Sequence, residues 1–319
     1  MIETTRRPAW ARNLLLISAF VACAGGARAE TVTDIVIPGE RVFPESLTSS
    51  ADGRIYIGSL TEGVIYRADP GSPQAVRWVE AGSGGLKSVF GVLADEKSKT
   101  LWACSGTAGP PSGAPVPGAL HGFDLETGEP KGRYEFPTAG AACNDIAVGE
   151  DGTVYATDTA NQQVVRLNRK SKSLQVWAGD GKFGAPGAVL DGIAFAGPTN
   201  LYVNTLVTGK IFRIDVLPSG KAGKVTEIVL ERPLTQPDGM RTLSDNSLLV
   251  VEVPGRLSRL TFNGKKARVE TLKEGFNGPA SVTVVGRTAY VLEGQLSLLM
   301  RPNPNAKPTP FRAVAVPLN

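Results

Sequence analysis

One phrase recurs along this 319-residue chain. A polar residue opens a short apolar run, a turn follows, a second apolar run ends on a polar residue, and a third run completes the phrase. It is clearest at Leu190-Asp191-Gly192-Ile193-Ala194-Phe195, Leu201-Tyr202-Val203-Asn204 and Ile211-Phe212-Arg213-Ile214-Asp215. The same order is found at Asn144–Val148, Val154–Asp158 and Val164–Leu167, and again at Asp238–Met240, Leu248–Glu252 and Leu257–Leu260. Self-similarity at a period in the forties specifies a repeat array in which neighbouring units bury each other's faces.

The first large residue of each second run is Tyr56, Trp102, Tyr155, Tyr202, Leu249 or Tyr290, at spacings of 46, 53, 47, 47 and 41. Six units fit with nothing left for a second domain. The one long spacing contains the Gly/Pro/Ala stretch from Thr107 to Gly118, a loop inserted before the third run of unit two. Each unit ends on a fourth, less regular run, such as Val76–Val79 or Leu174–Trp177. Asp52-Gly53 and Asp151-Gly152 lie between first and second runs, where a tight hairpin needs positive φ. The 37 glycines and 23 prolines suit many strands joined by turns. The fold class is therefore all-β, a six-bladed β-propeller of four-stranded antiparallel blades. The stretch from Thr31 to Pro38 has no unit of its own. It is expected to pair with the last blade, beside an outer strand at Phe311–Val316, and so close the ring.

Residues 1–29 read as a secretory signal peptide, leaving a single domain over 30–319. Arg6, Arg7 and Arg12 form a basic region, Leu14 to Ala24 an apolar stretch too short to span a bilayer, and Ala27-Arg28-Ala29 a cleavage signal. The expected location is periplasmic or secreted, with no stable membrane insertion. Removing the leader's four arginines and one glutamate takes the formal charge from +4 to +1. A nearly neutral chain without a long basic run offers nucleic acid no electrostatic footprint. Two cysteines remain, Cys104 and Cys143. An oxidising compartment permits a disulfide, but residue burial statistics favour two small buried apolar side chains.

Propeller geometry converts the phrase into a site. First strands line the central channel and open on one face, and second strands run back to that face. Glu45, Asn144, Asp191 and Asp238 open first strands; Asp158, Asn204, Glu252 and Glu293 end second strands. The second group is assigned to substrate binding. In the first group, three carboxylates and an amide packed together would repel and lose solvation. A hard divalent cation resolves both problems, and oxygen ligands without His or Cys suit Ca²⁺, with Mg²⁺, Mn²⁺ or Zn²⁺ as alternatives. The competing reading of Asp191-Gly192 and Asp238-Gly239 is that they are turn dipeptides. Glu45 and Asn144 occupy the same place without being turn pairs.

Pro44-Glu45-Ser46, Cys143-Asn144-Asp145-Ile146, Leu190-Asp191-Gly192-Ile193 and Pro237-Asp238-Gly239-Met240 together resemble the regucalcin/gluconolactonase (SMP-30-like) family. The wider group includes paraoxonases and diisopropylfluorophosphatase. The resemblance implies a catalytic divalent metal on Glu45, Asp191 and Asp238, with Asn144 binding metal or substrate. Asp191 departs from the pattern, since those relatives usually carry Asn there. The implied activity is metal-dependent hydrolysis of a small lactone or related ester, with Asp238 handling the proton and Asn144 placing the substrate. The alternative is a non-enzymatic propeller that binds a small molecule or protein on the same face. His121 is the only histidine and sits in a third strand, away from the channel openings. A structural role is expected for it, and no Gly-x-Ser-x-Gly elbow supports a serine hydrolase.

Overall fold

The computed structural model describes residues 1–3, 33–107, 118–168, 170–179, 181–184, 187–300 and 306–318. All but residues 1–3 of the signal peptide expected over 1–29, and most of the inserted loop at 107–118, lie outside these residues. The chain divides into Met1–Thr31 and Val32–Asn319, and the propeller belongs to the second unit. No helix among the described residues is long and apolar enough to cross a membrane.

Six antiparallel sheets follow the six sequence units. Their first strands are Pro44–Ser49, Ser88–Asp95, Cys143–Val148, Leu190–Phe195, Pro237–Thr242 and Pro279–Val285. In each of the first five blades the next three strands follow in chain order outward from the channel. Blade five carries a further edge strand, Val229–Leu230, paired parallel to its outermost strand, which the repeat did not announce. Blade six closes the ring: Ile35–Ile37 pairs with Phe311–Pro317. The expected pairing is present, but Phe311–Pro317 is the third strand and the N-terminal segment takes the outer place. Among the described residues no fourth strand follows Phe311–Pro317, and Ile35–Ile37 completes the blade and covers an otherwise open edge.

Apolar side chains collect between blades. Six buried clusters are present among the described residues, each drawn from two neighbouring blades. The repeating aromatic of the second strand fills these interfaces. Tyr155 packs edge-on against Phe195 of blade four, and Tyr202 stacks on Phe262 of blade five with ring centres 4.0 Å apart. A blade cannot bury its faces alone, and six supply each other with a core.

Cys104 and Cys143 are buried as expected, but they are also joined: a disulfide links blade two to blade three, with Cα atoms 5.2 Å apart. Spacing in sequence could not reveal this. The two residues meet only because the second strand of one blade packs beside the first strand of the next.

Candidate metal centre

Every first strand carries the same defect. Its pairing with the second strand steps by one residue near its start, at Pro44/Ser46, Val89/Val92, Cys143/Ile146, Leu190/Ile193, Pro237/Met240 and Pro279/Ser281. A bulge of this kind re-aims a side chain. The equivalent bulge positions around the ring are Glu45, Phe90, Asn144, Asp191, Asp238 and Ala280. All four residues assigned to the metal from sequence fall in this one structural position.

The glycine after Asp191 and the glycine after Asp238 are not turn glycines. Neither Gly192 nor Gly239 has positive φ, whereas the hairpin glycines Gly53 and Gly152 do, at 87° and 77°. A Cβ on Gly192 would stand 2.5 Å from the Asp238 carbonyl oxygen, and one on Gly239 would stand 2.9 Å from that of Ala280. Gly91 in blade two stands in the same relation to the Asn144 carbonyl, at 2.3 Å. Glycine therefore lets the first strands of blades two, four and five lie directly against the next, which narrows the channel and draws the bulge side chains together. The chain enters these strands under strain. Phe43, Val189 and Gln236, each two residues before a carboxylate, have φ of 40°, 60° and 48°. For a β-branched residue such as Val189 this is a costly conformation, of the kind that clusters at functional sites.

The result is a compact cluster. Carboxylate oxygens of Glu45, Asp191 and Asp238 all lie within 4.8 Å of one another. The three residues are only 8%, 5% and 7% exposed. Burial, then the charges of Asp191 and Asp145, pushes the Glu45 carboxyl well above its ordinary range. Burial, then Asp191 and Glu45, does the same to Asp238. Asp191 rises to about 7, through burial and the Asp145 charge, against hydrogen bonds from Asp238 and Asn144. The Asn144 Oδ1 is buried without a hydrogen-bond partner. Crowded, desolvated acceptors beside an unpaired amide oxygen form a set that lacks a positive charge. These residues fit a hard divalent cation.

A brace behind the cluster fixes two of the carboxylates. Thr157 Oγ1 donates to the Asp191 carbonyl at 2.8 Å and accepts the Asp145 N–H at 3.0 Å. One blade on, Asn204 Nδ2 donates to the Asp238 carbonyl at 2.5 Å, and its Oδ1 accepts the Gly192 N–H at 3.1 Å. Both residues occupy the same register. Asp158 faces Cys143 and Thr205 faces Leu190, so Thr157 and Asn204 each sit one residue earlier. Sequence pattern alone places Asn204 among the polar residues that end second strands, and its equivalent Thr157 adjoins the more conspicuous Asp158.

The other three residues assigned to substrate support loops. Asp158 accepts the Ala142 N–H and the side-chain amides of Asn161 and Gln163. Glu252 accepts from Arg232, Ser258 and the Thr235 N–H. Glu293 accepts from Arg312 and the Asn277 N–H. Asp158, Asn204, Glu252 and Glu293 all lie outside the three-carboxylate group. His121 is buried in the third strand of blade two, parallel to Phe123. Burial and the charge of Arg133 push its pKa down to about 4. The bulge positions of blades two and six carry Phe90 and Ala280, which give the ring of oxygens two apolar neighbours.

No protein-family model matches the chain, and no curated protein matches it in sequence. Solved structures do resemble it. The allergen Mala s 1 of Malassezia sympodialis superposes with a TM-score of 0.69 at 15% identity, over 88% of this chain and 95% of that one. A gluconolactonase from Xanthomonas campestris gives 0.58 at 17% identity, over 79% and 83%. A virginiamycin B lyase from Staphylococcus aureus gives 0.55 at 16% identity, over 82% and 94%. The fold thus matches that of gluconolactonase-like propellers, and at these identities the likeness establishes the architecture alone.

Proposed function

We propose that the chain is a metal-dependent hydrolase of a small lactone or related ester, working at this mouth of the channel. The observation that carries the reading is the buried convergence of Glu45, Asp191 and Asp238 beside the unpaired Asn144 oxygen. These four residues would hold a divalent cation, Ca²⁺ by the hardness and number of the oxygens. Such an ion supplies Lewis acidity for a carbonyl and acidifies water at neutral pH. The Asp238 carboxylate takes the proton released by the attacking water. The Asn144 side chain, more exposed than the carboxylates, orients the substrate. The bulge positions of blades two and six, Phe90 and Ala280, add no positive charge to the carboxylates, which suits a neutral lactone better than an anionic phosphate ester.

Hydrolysis of a lactone panel after chelator treatment tests this. Turnover lost with chelator and restored by one cation is expected. Turnover indifferent to chelator, or ligand binding without turnover or metal, would replace the reading with that of a binding propeller. The same proposal places the protein outside the cytoplasm, supported by the basic–apolar–small leader and by the Cys104–Cys143 disulfide. N-terminal sequencing from the native host should find a start near Glu30. An intact Met1 on cytoplasmic protein would refute export.

A further inference from the structure

Three residues beyond Asp238, on the same strand, lies a buried arginine that the hydrolytic reading does not use. The equivalent residues of the other blades are Thr48, Leu93, Ala147, Ala194 and Thr283, all uncharged. Blade five alone places a cation at this level of the channel. Arg241 is 8% exposed. Its Nη1 donates to the Met240 carbonyl at 2.7 Å and to the Asp145 carboxylate at 3.3 and 3.4 Å. Its Nη2 donates to the carbonyls of Val92 at 3.0 Å and Leu47 at 3.2 Å, and to Ser46 Oγ at 3.4 Å. One guanidinium thus binds the first strands of blades one, two, three and five. Below it, toward the opposite end, lies a cavity of about 100 Å³ lined by Leu93, Ala147, Ala194 and Arg241 itself.

We propose that Arg241 is the positioning residue of the metal centre, a built-in cation that sets the spacing of all four candidate ligands from beneath. The inference rests on the metal-centre reading. Apart from the Val92 carbonyl of blade two, the partners of Arg241 lie within two residues of a candidate ligand. Ser46 follows Glu45, Asp145 follows Asn144, and Met240 is two residues from Asp238. Asp145 extends the clamp to blade four, because its Oδ2 accepts the N–H of Ile193, two residues from Asp191. A planar fork with several donors can hold carbonyls on opposite sides of a channel, and a single ammonium cannot. The Arg241–Asp145 pair also keeps a fourth carboxylate from adding uncompensated charge to the cluster. Leaving that buried partner alone would be costly.

The test separates geometry from charge. Arg241→Ala would remove a positive charge near the cluster, which by itself strengthens cation binding. Arg241→Lys keeps the charge and loses the fork, so it reads position. Calorimetric titration of chelator-stripped full chain with Ca²⁺ should show about tenfold weaker binding in Arg241→Lys, the usual scale for losing a residue that orients ligands. Val291→Ala, a buried truncation between blades five and six, should lower the melting temperature and leave Ca²⁺ affinity within about twofold, since it touches no ligand. Wild-type affinity in Arg241→Lys, or equal affinity loss in Val291→Ala, would overturn the proposal. Should the wild type take up no divalent ion, the metal-centre reading fails on its own. The clamp is then decided by melting: guanidinium at about 10 mM, against matched NaCl, should raise the melting temperature of Arg241→Ala and not that of Val291→Ala. No such rise would overturn the clamp as well.

Discussion

At the scale of single residues, the site is a balance between crowded carboxylates and whatever charge answers them. The raised pKa of Asp191, about 7, and those of Glu45 and Asp238 mean that the metal-free fold prefers these groups protonated. A carboxyl raised above its unfolded value, near 4, contributes stability that is fully present below that value and lost as pH rises through the folded pKa. His121 acts oppositely: with a folded pKa of about 4, its contribution is present above its unfolded value and lost as pH falls. Comparing wild type with Asp191→Asn in chelator cancels the histidine. Between pH 5 and 8, the wild type should lose melting temperature relative to the variant, steeply toward pH 7. A difference that stays constant with pH would show that the cluster is not crowded. All four proposed ligands were legible in the sequence because they recur at one place in a repeat. Arg241 was not, for its partners Leu47 and Val92 lie 194 and 149 residues away and nothing local marks it. Thr157 was hidden by the more conspicuous acid beside it.

At the scale of strands and blades, the bulge and the glycine that follows it build the site together. The Asp-Gly pairs could be read from sequence as hairpin turns or as strand openings. The structure gives a third reason for the glycine, close approach of the next strand, which periodicity cannot convey. Gly192→Ala would drive a methyl into the Asp238 carbonyl, 2.5 Å from its place. The strands must separate, at about 1–3 kcal/mol for overpacking, and Asp191 moves away from Asp238. A lower melting temperature together with a smaller response to added cation is expected. Gly106→Ala, where the nearest atom is 3.7 Å away, is the control and should change neither by much. Equal effects in both variants would mean that close approach is not what the glycine provides. The disulfide and the extra strand Val229–Leu230 were illegible for a related reason. Both depend on how blades lie against their neighbours, and the repeat describes each blade from within.

At the scale of the whole molecule, six weak units form a closed ring with a buried acidic cluster at one mouth of the channel. Blade number, strand order and closure by the N-terminal segment followed from the repeat. The position of Phe311–Pro317 within the last blade did not, because that blade borrows its outer strand from the other end of the chain. Residues from distant blades form a cluster only if the ring is closed, so a ligand for that cluster should stabilise the entire fold. An ion at about 100 times its dissociation constant adds about 2.7 kcal/mol by linkage. The most direct measurement is the melting temperature of chelator-stripped protein with and without Ca²⁺, Mg²⁺ and Mn²⁺, for the wild type, Glu45→Gln, Asp238→Asn and His121→Gln. One cation should raise the wild type and His121→Gln alike and leave both carboxylate variants nearly unmoved, each starting higher than the metal-free wild type because like charges are relieved. A full cation response in Glu45→Gln and Asp238→Asn would contradict a metal centre at this mouth.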